Sequence, residues 1–151
     1  MTNEDVKEES LGKLISCLYR YSQMNLGNKL EQYNIGSGQF SFLMSLFRED
    51  GVHQEYLVKS IKVDKATCTR AVKKLVKEGY VTRQKDSKDK RAYKIFLTEK
   101  AKPTEPVLKK ISSEWKALLL SGFTEEEKEL VMDFLKRMVH NASSVKRDSH
   151  E

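Results

Sequence analysis

Apolar residues recur at three- and four-residue steps over most of this chain and at alternate positions over one short stretch. Leu11, Leu14, Ile15, Leu18, Leu26, Leu30 and Tyr33, with Ser22 in step, mark an amphipathic helix over about residues 8–32. At ~1.5 Å per residue it would exceed ~30 Å, more than one small core needs to cover. Asn34-Ile35-Gly36-Ser37-Gly38 breaks the pattern, and Ser37 is the expected cap of a second helix that turns Phe40, Leu43, Met44 and Phe47 inward. After Glu49-Asp50-Gly51 a short third helix, about residues 53–61, offers Leu57, Val58 and Ile61 to a core. Lys62-Val63-Asp64 then turns the chain, with Asp64 as N-cap of the fourth helix. There Cys68, Val72, Leu75, Val76 and Gly79 share one face, and Ala66, Thr67, Arg70, Lys73, Lys74 and Lys77 surround the other.

Gly79 stops that helix, and the period changes to two. Residues 80–85 and 91–98 are extended runs, with Tyr93, Ile95 and Leu97 on one side and turn-forming Asp86-Ser87-Lys88-Asp89-Lys90 between them. Helical spacing returns with Val107, Leu108, Ile111, Trp115, Leu118 and Leu119, where Pro103 and Pro106 predict a kink or a start delayed to about Thr104. Gly122 ends this helix. Thr124 followed three residues later by Glu127 is a capping-box signature for the last one, striped by Leu130, Val131, Phe134, Leu135, Met138 and Val139.

Two helices joined by a tight turn, the second with a basic outer face, followed by a hairpin, make a winged helix-turn-helix. The expected fold is mainly α (α+β), with a two-stranded β wing and flanking N- and C-terminal dimerisation helices. As a single domain over 1–151, it has a DNA-binding lobe at about 35–98 and a helical region at about 8–33 and 104–145. The long terminal helices need cover for their stripes. A two-fold homodimer through Leu11, Leu14, Ile15, Leu118, Leu119, Phe134, Leu135 and Met138 is the simplest way to supply it.

Charge gives the hairpin a direction. The protein carries 28 Lys and Arg against 22 Asp and Glu, a formal net charge of +6. Residues 59–100 hold 14 basic and 5 acidic side chains, a local +9, leaving the other 109 residues at −3. Positive charge gathered on one helix and one hairpin can neutralise phosphates and release their counterions. On charge alone a solvated lysine-rich face accounts for it equally well. The helical period favours double-stranded DNA as the partner, because it sets Arg70, Lys73, Lys74 and Lys77 opposite the Cys68/Val72/Leu75 stripe.

Other classes find little support. At 151 residues the chain suits one domain, and its 38% hydrophobic and 33% charged composition includes no apolar run of about 18 residues to span a bilayer. The acidic, polar start at residues 1–10 lacks the pattern of a secretory signal, so a cytoplasmic location is expected. Cys17 and Cys68 cannot form a disulfide framework, and His53, His140 and His150 are scattered, so no metal or cofactor is expected. No phosphate-cradling glycine loop or nucleophile and base pattern suggests an enzyme.

Val63-Asp64-Lys65-Ala66-Thr67-Cys68-Thr69-Arg70, then Leu75-Val76-Lys77-Glu78-Gly79-Tyr80-Val81, Asp89-Lys90-Arg91 and Leu97-Thr98-Glu99-Lys100, with Gln39-Phe40 opening the second helix, are the specific stretches. In this order they resemble the MarR family of bacterial transcription regulators, the multiple antibiotic resistance type. The resemblance implies a sequence-specific transcriptional regulator, expected to be a repressor, bound as a homodimer to a pseudo-palindromic operator. It makes residues 65–78 the recognition helix, with Lys65, Thr67, Thr69, Arg70, Lys73 and Lys74 as DNA contacts. Arg91 would reach a minor groove, oriented by Asp89 through a charge-assisted hydrogen bond. Lys62 stands where such proteins frequently carry Gly.

The resemblance also implies release by a small aromatic or phenolic ligand, in a pocket that Tyr19, Tyr21, Phe40, Met44, Phe47 and Trp115 could line; core packing is the competing account of each. Some members of the family sense oxidants through a cysteine in the first helix, which makes Cys17 the alternative switch. Cys68, on the inner face of the recognition helix, reads as core filler. A further alternative is a winged-helix protein-interaction module without DNA binding, which would have no use for a +9 helix and hairpin.

Overall fold

The structure, a computed structural model, describes residues 10–145. Six helices and a small sheet follow in the order α1 (Leu11–Leu30), α2 (Phe40–Arg48), β1 (Val52–His53), α3 (Gln54–Ile61), α4 (Lys65–Lys77), β2 (Val81–Lys85), β3 (Tyr93–Leu97), α5 (Glu105–Leu119) and α6 (Glu125–Ala142). They divide into two compact units, residues 1–113 and 114–151, the boundary falling within α5. No helix among the described residues is long and apolar enough to cross a membrane.

In the first unit the core is built around α2, α3 and α4. Leu43, Leu46, Leu57, Cys68, Val72, Leu75 and Ile95 are almost wholly withdrawn from solvent, joined by Leu30 at the end of α1 and Leu108 on α5. Ser10 caps α1 by accepting from the Lys13 N–H at 3.1 Å; the start expected near residue 8 lies outside the described residues. Asp64 caps α4 as its sequence position predicts, its carboxylate accepting from the Thr67 N–H at 2.6 Å. Gly79 takes φ +81°, which lets the Tyr80 N–H turn back to the Leu75 carbonyl at 2.9 Å and closes α4. Pro103 falls in a 3-10 turn, Lys102–Thr104, so α5 starts late at Glu105 rather than kinking.

Three expectations need correction. Ser37 does not cap α2: it opens a 3-10 turn, Ser37–Gln39, and α2 follows from Gln39, already in the right-handed helical region, with no side-chain cap. The sheet has three strands rather than two, in the order β1-β3-β2, because Val52 and His53 pair antiparallel with Ile95 and Lys94. A two-residue strand has no alternation to read. On α4, Ala71 is buried and Val76 is 42% exposed, so the inner face is rotated towards Ala71 relative to the stripe read from sequence.

Thr124 and Glu127 form the expected capping box at the start of α6, at 2.9 and 3.1 Å. On α6 itself Leu130, Phe134, Leu135, Met138 and Val139 are all exposed, and Val131 is half-buried, as stripes that await a second copy would be. An exposed apolar stripe of this length calls for a partner surface.

Lys62 ends α3 in the left-handed region at φ +61°, its successor's N–H reaching back to the Val58 carbonyl. A side chain there costs about 1 to 2 kcal/mol of strain, while glycine costs about 0.5 to 1 kcal/mol of extra unfolded-state entropy. Strain is the larger of the two. Lys62→Gly should therefore raise stability by about 0.5 to 1 kcal/mol, read as a higher urea midpoint at unchanged slope; a lower midpoint would contradict the balance.

Candidate nucleic-acid interface

The exposed edge of the first unit carries the N-terminal half of α4 and, beside it, the β2-β3 hairpin. Lys65, Thr69, Asp89 and Arg91 line one cleft of about 380 Å³, together with His53, Gln54 and Arg83. Residues up to 38 positions apart in sequence are thus brought to one surface. Lys65, Arg70, Lys73, Asp89 and Arg91 are exposed, and Thr67 and Thr69 are half-buried. Lys74 lies apart from this cleft. It lines a second one with Glu31, Asn34, Ile35 and Glu78, close enough to Gly36 that a Cβ there would sit 2.8 Å from the Lys74 Nζ.

Local hydrogen bonds fix the helix face. Thr69 donates to the Lys65 carbonyl at 2.9 Å and accepts from Gln54 Nε2 at 3.1 Å, tying the start of α3 to α4. Arg70 donates to the Thr67 hydroxyl at 3.2 Å, which lays the guanidinium along the first turn of the helix. Cys68 faces inward, and burial pushes its thiol pKa up, the opposite of what a reactive thiolate needs.

The hairpin turn is organised by two aspartates. Asp89 accepts from the Arg91 backbone N–H at 3.0 Å, so it acts on Arg91 by shaping the turn and not through the guanidinium bond expected from the family resemblance. Asp86 accepts from the Lys88 N–H at 2.9 Å and meets His53 Nε2 at 2.7 Å. The Lys88 N–H, then the His53 bond, hold the Asp86 carboxyl below its usual pKa. A lowered carboxyl pKa adds stability above its unfolded value, lost only as pH falls through the folded one, so the turn stays tied at neutral pH.

Three side chains of the cleft escaped the sequence reading. Gln54 and His53 sit where β1 meets α3, and the strand was not foreseen. Arg83 stacks its guanidinium 3.6 Å from the centroid of the Tyr93 ring. Its signal was present: a hairpin pairing Lys85 with Tyr93 places Arg83 on the diagonal.

The aromatic residues proposed for ligand binding are distributed unevenly. Phe40, Met44 and Phe47 share α2, half-buried against the core; Tyr19 and Tyr21 are exposed on α1; Trp115 belongs to the second unit. Cys17 is half-buried on α1, and Arg20 donates to its sulfur at 3.3 Å, a neighbour one helical turn away that the sequence reading did not credit. Among the described residues no group of three or more His, Cys, Asp or Glu could hold a metal ion.

Residues 35–93 match the family model described as MarR family. The chain is 35% identical over 113 residues to the uncharacterized HTH-type transcriptional regulator YybA of Bacillus subtilis, covering 75% of each. It is 51% identical to a MarR transcriptional regulator from Methanosarcina mazei of known structure, with a TM-score of 0.83 over 90% of this chain and 98% of that one. A MarR family transcriptional regulator from Listeria monocytogenes, crystallised with a 26mer DNA, is 27% identical and superposes at a TM-score of 0.83 over 93% of this chain and 99% of the other.

Proposed function

The chain belongs to the MarR family of transcriptional regulators, and on that premise we propose that it is a repressor that binds a pseudo-palindromic operator as a homodimer and leaves it when a small aromatic or phenolic ligand binds. The observation that carries the DNA-binding part is the shared cleft: Lys65 and Thr69 from α4 face Arg91 and Asp89 from the hairpin across one exposed surface. A helix in the major groove and a basic wing over the adjoining minor groove would use both sides of it. Lys73, exposed further along α4, is suited to phosphate contact, and Lys74, drawn towards the Gly36 loop, to phosphates at the edge of the footprint.

The half-exposed stripes on α1 and α6 support the homodimer, since two copies place two recognition helices on one duplex about a helical turn apart. For release, the half-buried Phe40, Met44 and Phe47 favour an aromatic or phenolic ligand. A second reading, oxidant release through Cys17, is favoured by the permanent positive charge that Arg20 sets 3.3 Å from its sulfur.

One experiment addresses both. The purified protein, titrated against the DNA upstream of its own coding sequence, should bind tightly at low salt and lose affinity steeply as salt rises. Adding salicylate-like phenols in one arm and peroxide in another, with Cys17→Ser alongside, identifies the signal. No protection of that DNA, or binding indifferent to salt, would remove the reading.

A further inference from the structure

The base of the wing is built into the lobe, with Val81 and Ile95 buried in its core, and the outer part is pinned at few points. At its inner end the Leu97 N–H donates to Asp50 Oδ1 at 2.8 Å. Further out, β3 pairs with β1 through two residues only, Ile95 with Val52 and Lys94 with His53. The last pin is made by side chains: His53 Nε2 lies 2.7 Å from Asp86 Oδ2, across 33 residues of sequence. Among the hydrogen bonds described here it is the outermost between hairpin and lobe. Beyond it lie only the turn, with Asp89 and Arg91.

Both ends of this pin are fixed. His53 is the residue preceding the first turn of α3, so its backbone is set by β1 on one side and the helix on the other. The Asp86 side chain is only 11% exposed, its other oxygen engaged by the Lys88 N–H, while its own N–H donates to the Ala92 carbonyl at 2.9 Å. Asp86 is therefore part of the turn that carries Arg91. A force on the wing tip passes through Asp86 to His53 and from there into α3. The charge of Lys94 also favours the ionised carboxylate.

We propose that His53, through Asp86, is the positioning residue that holds the wing at the angle Arg91 needs to reach DNA. This rests on the DNA-binding reading above and adds a residue outside the recognition helix and the wing. An untethered wing still carries Arg91, but must give up conformational freedom on binding, so part of what Arg91 contributes is spent on ordering it. The two residues should then be energetically coupled although the strut need not touch DNA.

The test is a thermodynamic cycle in fluorescence anisotropy with the upstream DNA, at fixed salt and pH, using the full chain. R91A should weaken binding, H53A should weaken it less, and the H53A/R91A double variant should fall short of the product of the two losses by at least about threefold. H53Q, whose amide can still donate to Asp86, should recover most of the H53A loss, and D86N should show the same shortfall with R91A. Circular dichroism melts identify any variant that loses its fold; D86N, which keeps an acceptor for Lys88, then stands in for H53A. Losses that simply multiply, wild-type affinity in H53A, or an H53Q protein no better than H53A overturn the strut. Unchanged affinity in R91A alone removes the wing reading and the strut together.

Discussion

Arg91→Ala should weaken operator binding by about 1 to 3 kcal/mol, roughly 5- to 150-fold, with the oligomeric state unchanged. The side chain is exposed, its backbone N–H is held by Asp89, and it stands at the outer end of a cleft whose other wall is α4. Its neighbours Lys88 and Lys90 are exposed on the same turn, so charge alone would not single it out. What does is its place on the cleft and the turn that aims its backbone, because an oriented guanidinium can enter a minor groove where a flexible ammonium meets only phosphate. The salt slope separates the two roles. A phosphate contact removes about 0.9 from the log-log slope when lost, whereas a groove contact lowers affinity at every salt concentration with less change in slope and relaxes preference for A·T steps. Unchanged affinity across several salt concentrations would dismiss the wing as a DNA contact.

Most of the helical frame was legible in the sequence because helices announce themselves locally. The Thr124 and Glu127 capping box, the Asp64 cap and the Gly79 stop each depend on residues within one turn, and all three are found as read. The misreadings come where a distant residue decides. Strand β1 exists because β3 passes beside Val52 and His53, some 40 residues later. The inner face of α4 follows what α3, β2 and the turn before α2 set against it, which buries Ala71 and leaves Val76 outside. Ser37 is a good cap by type, yet the turn before α2 uses a 3-10 geometry that needs none.

The site divides in the same way. Thr67 and Arg70 follow from the period of α4, whereas Lys65, Thr69 and Arg91 enter through the resemblance to the MarR family. Gln54, His53 and Arg83 follow from neither, because each enters the cleft through a tertiary contact: a bond to Thr69, a bond to Asp86 and a stack on Tyr93. A lone histidine between a glycine turn and a short helix carries no local sign of a partner 33 residues away.

Leu135→Glu should convert the protein from dimer to monomer and cost most of its operator affinity. Leu11, Leu14, Ile15, Leu118, Leu119, Phe134, Leu135 and Met138 are between 38% and 63% exposed in the single chain. Fully burying such a side chain stabilises by about 1.5 to 3 kcal/mol, so covering the exposed half of each contributes about 1 kcal/mol. Two protomers with eight such residues reach roughly 16 kcal/mol, against the roughly 4 to 15 kcal/mol that association costs, which leaves a margin of about 1 to 12 kcal/mol. Two-fold symmetry places any substitution in the interface twice, and each unpaired carboxylate withdrawn from water costs several kcal/mol. Leu135 is the test position because its α6 neighbours Phe134 and Met138 belong to the same exposed set, while the core of the DNA-binding lobe lies in the other unit. Sedimentation velocity at micromolar protein should give a dimer for the wild type and a monomer for L135E, with an unchanged circular dichroism spectrum. DNA affinity should fall with the loss of the second half-site rather than through any change in α4 or the wing. A wild-type monomer, or an L135E protein that remains a dimer, would place the interface elsewhere and leave the apolar face of α6 without the role assigned to it.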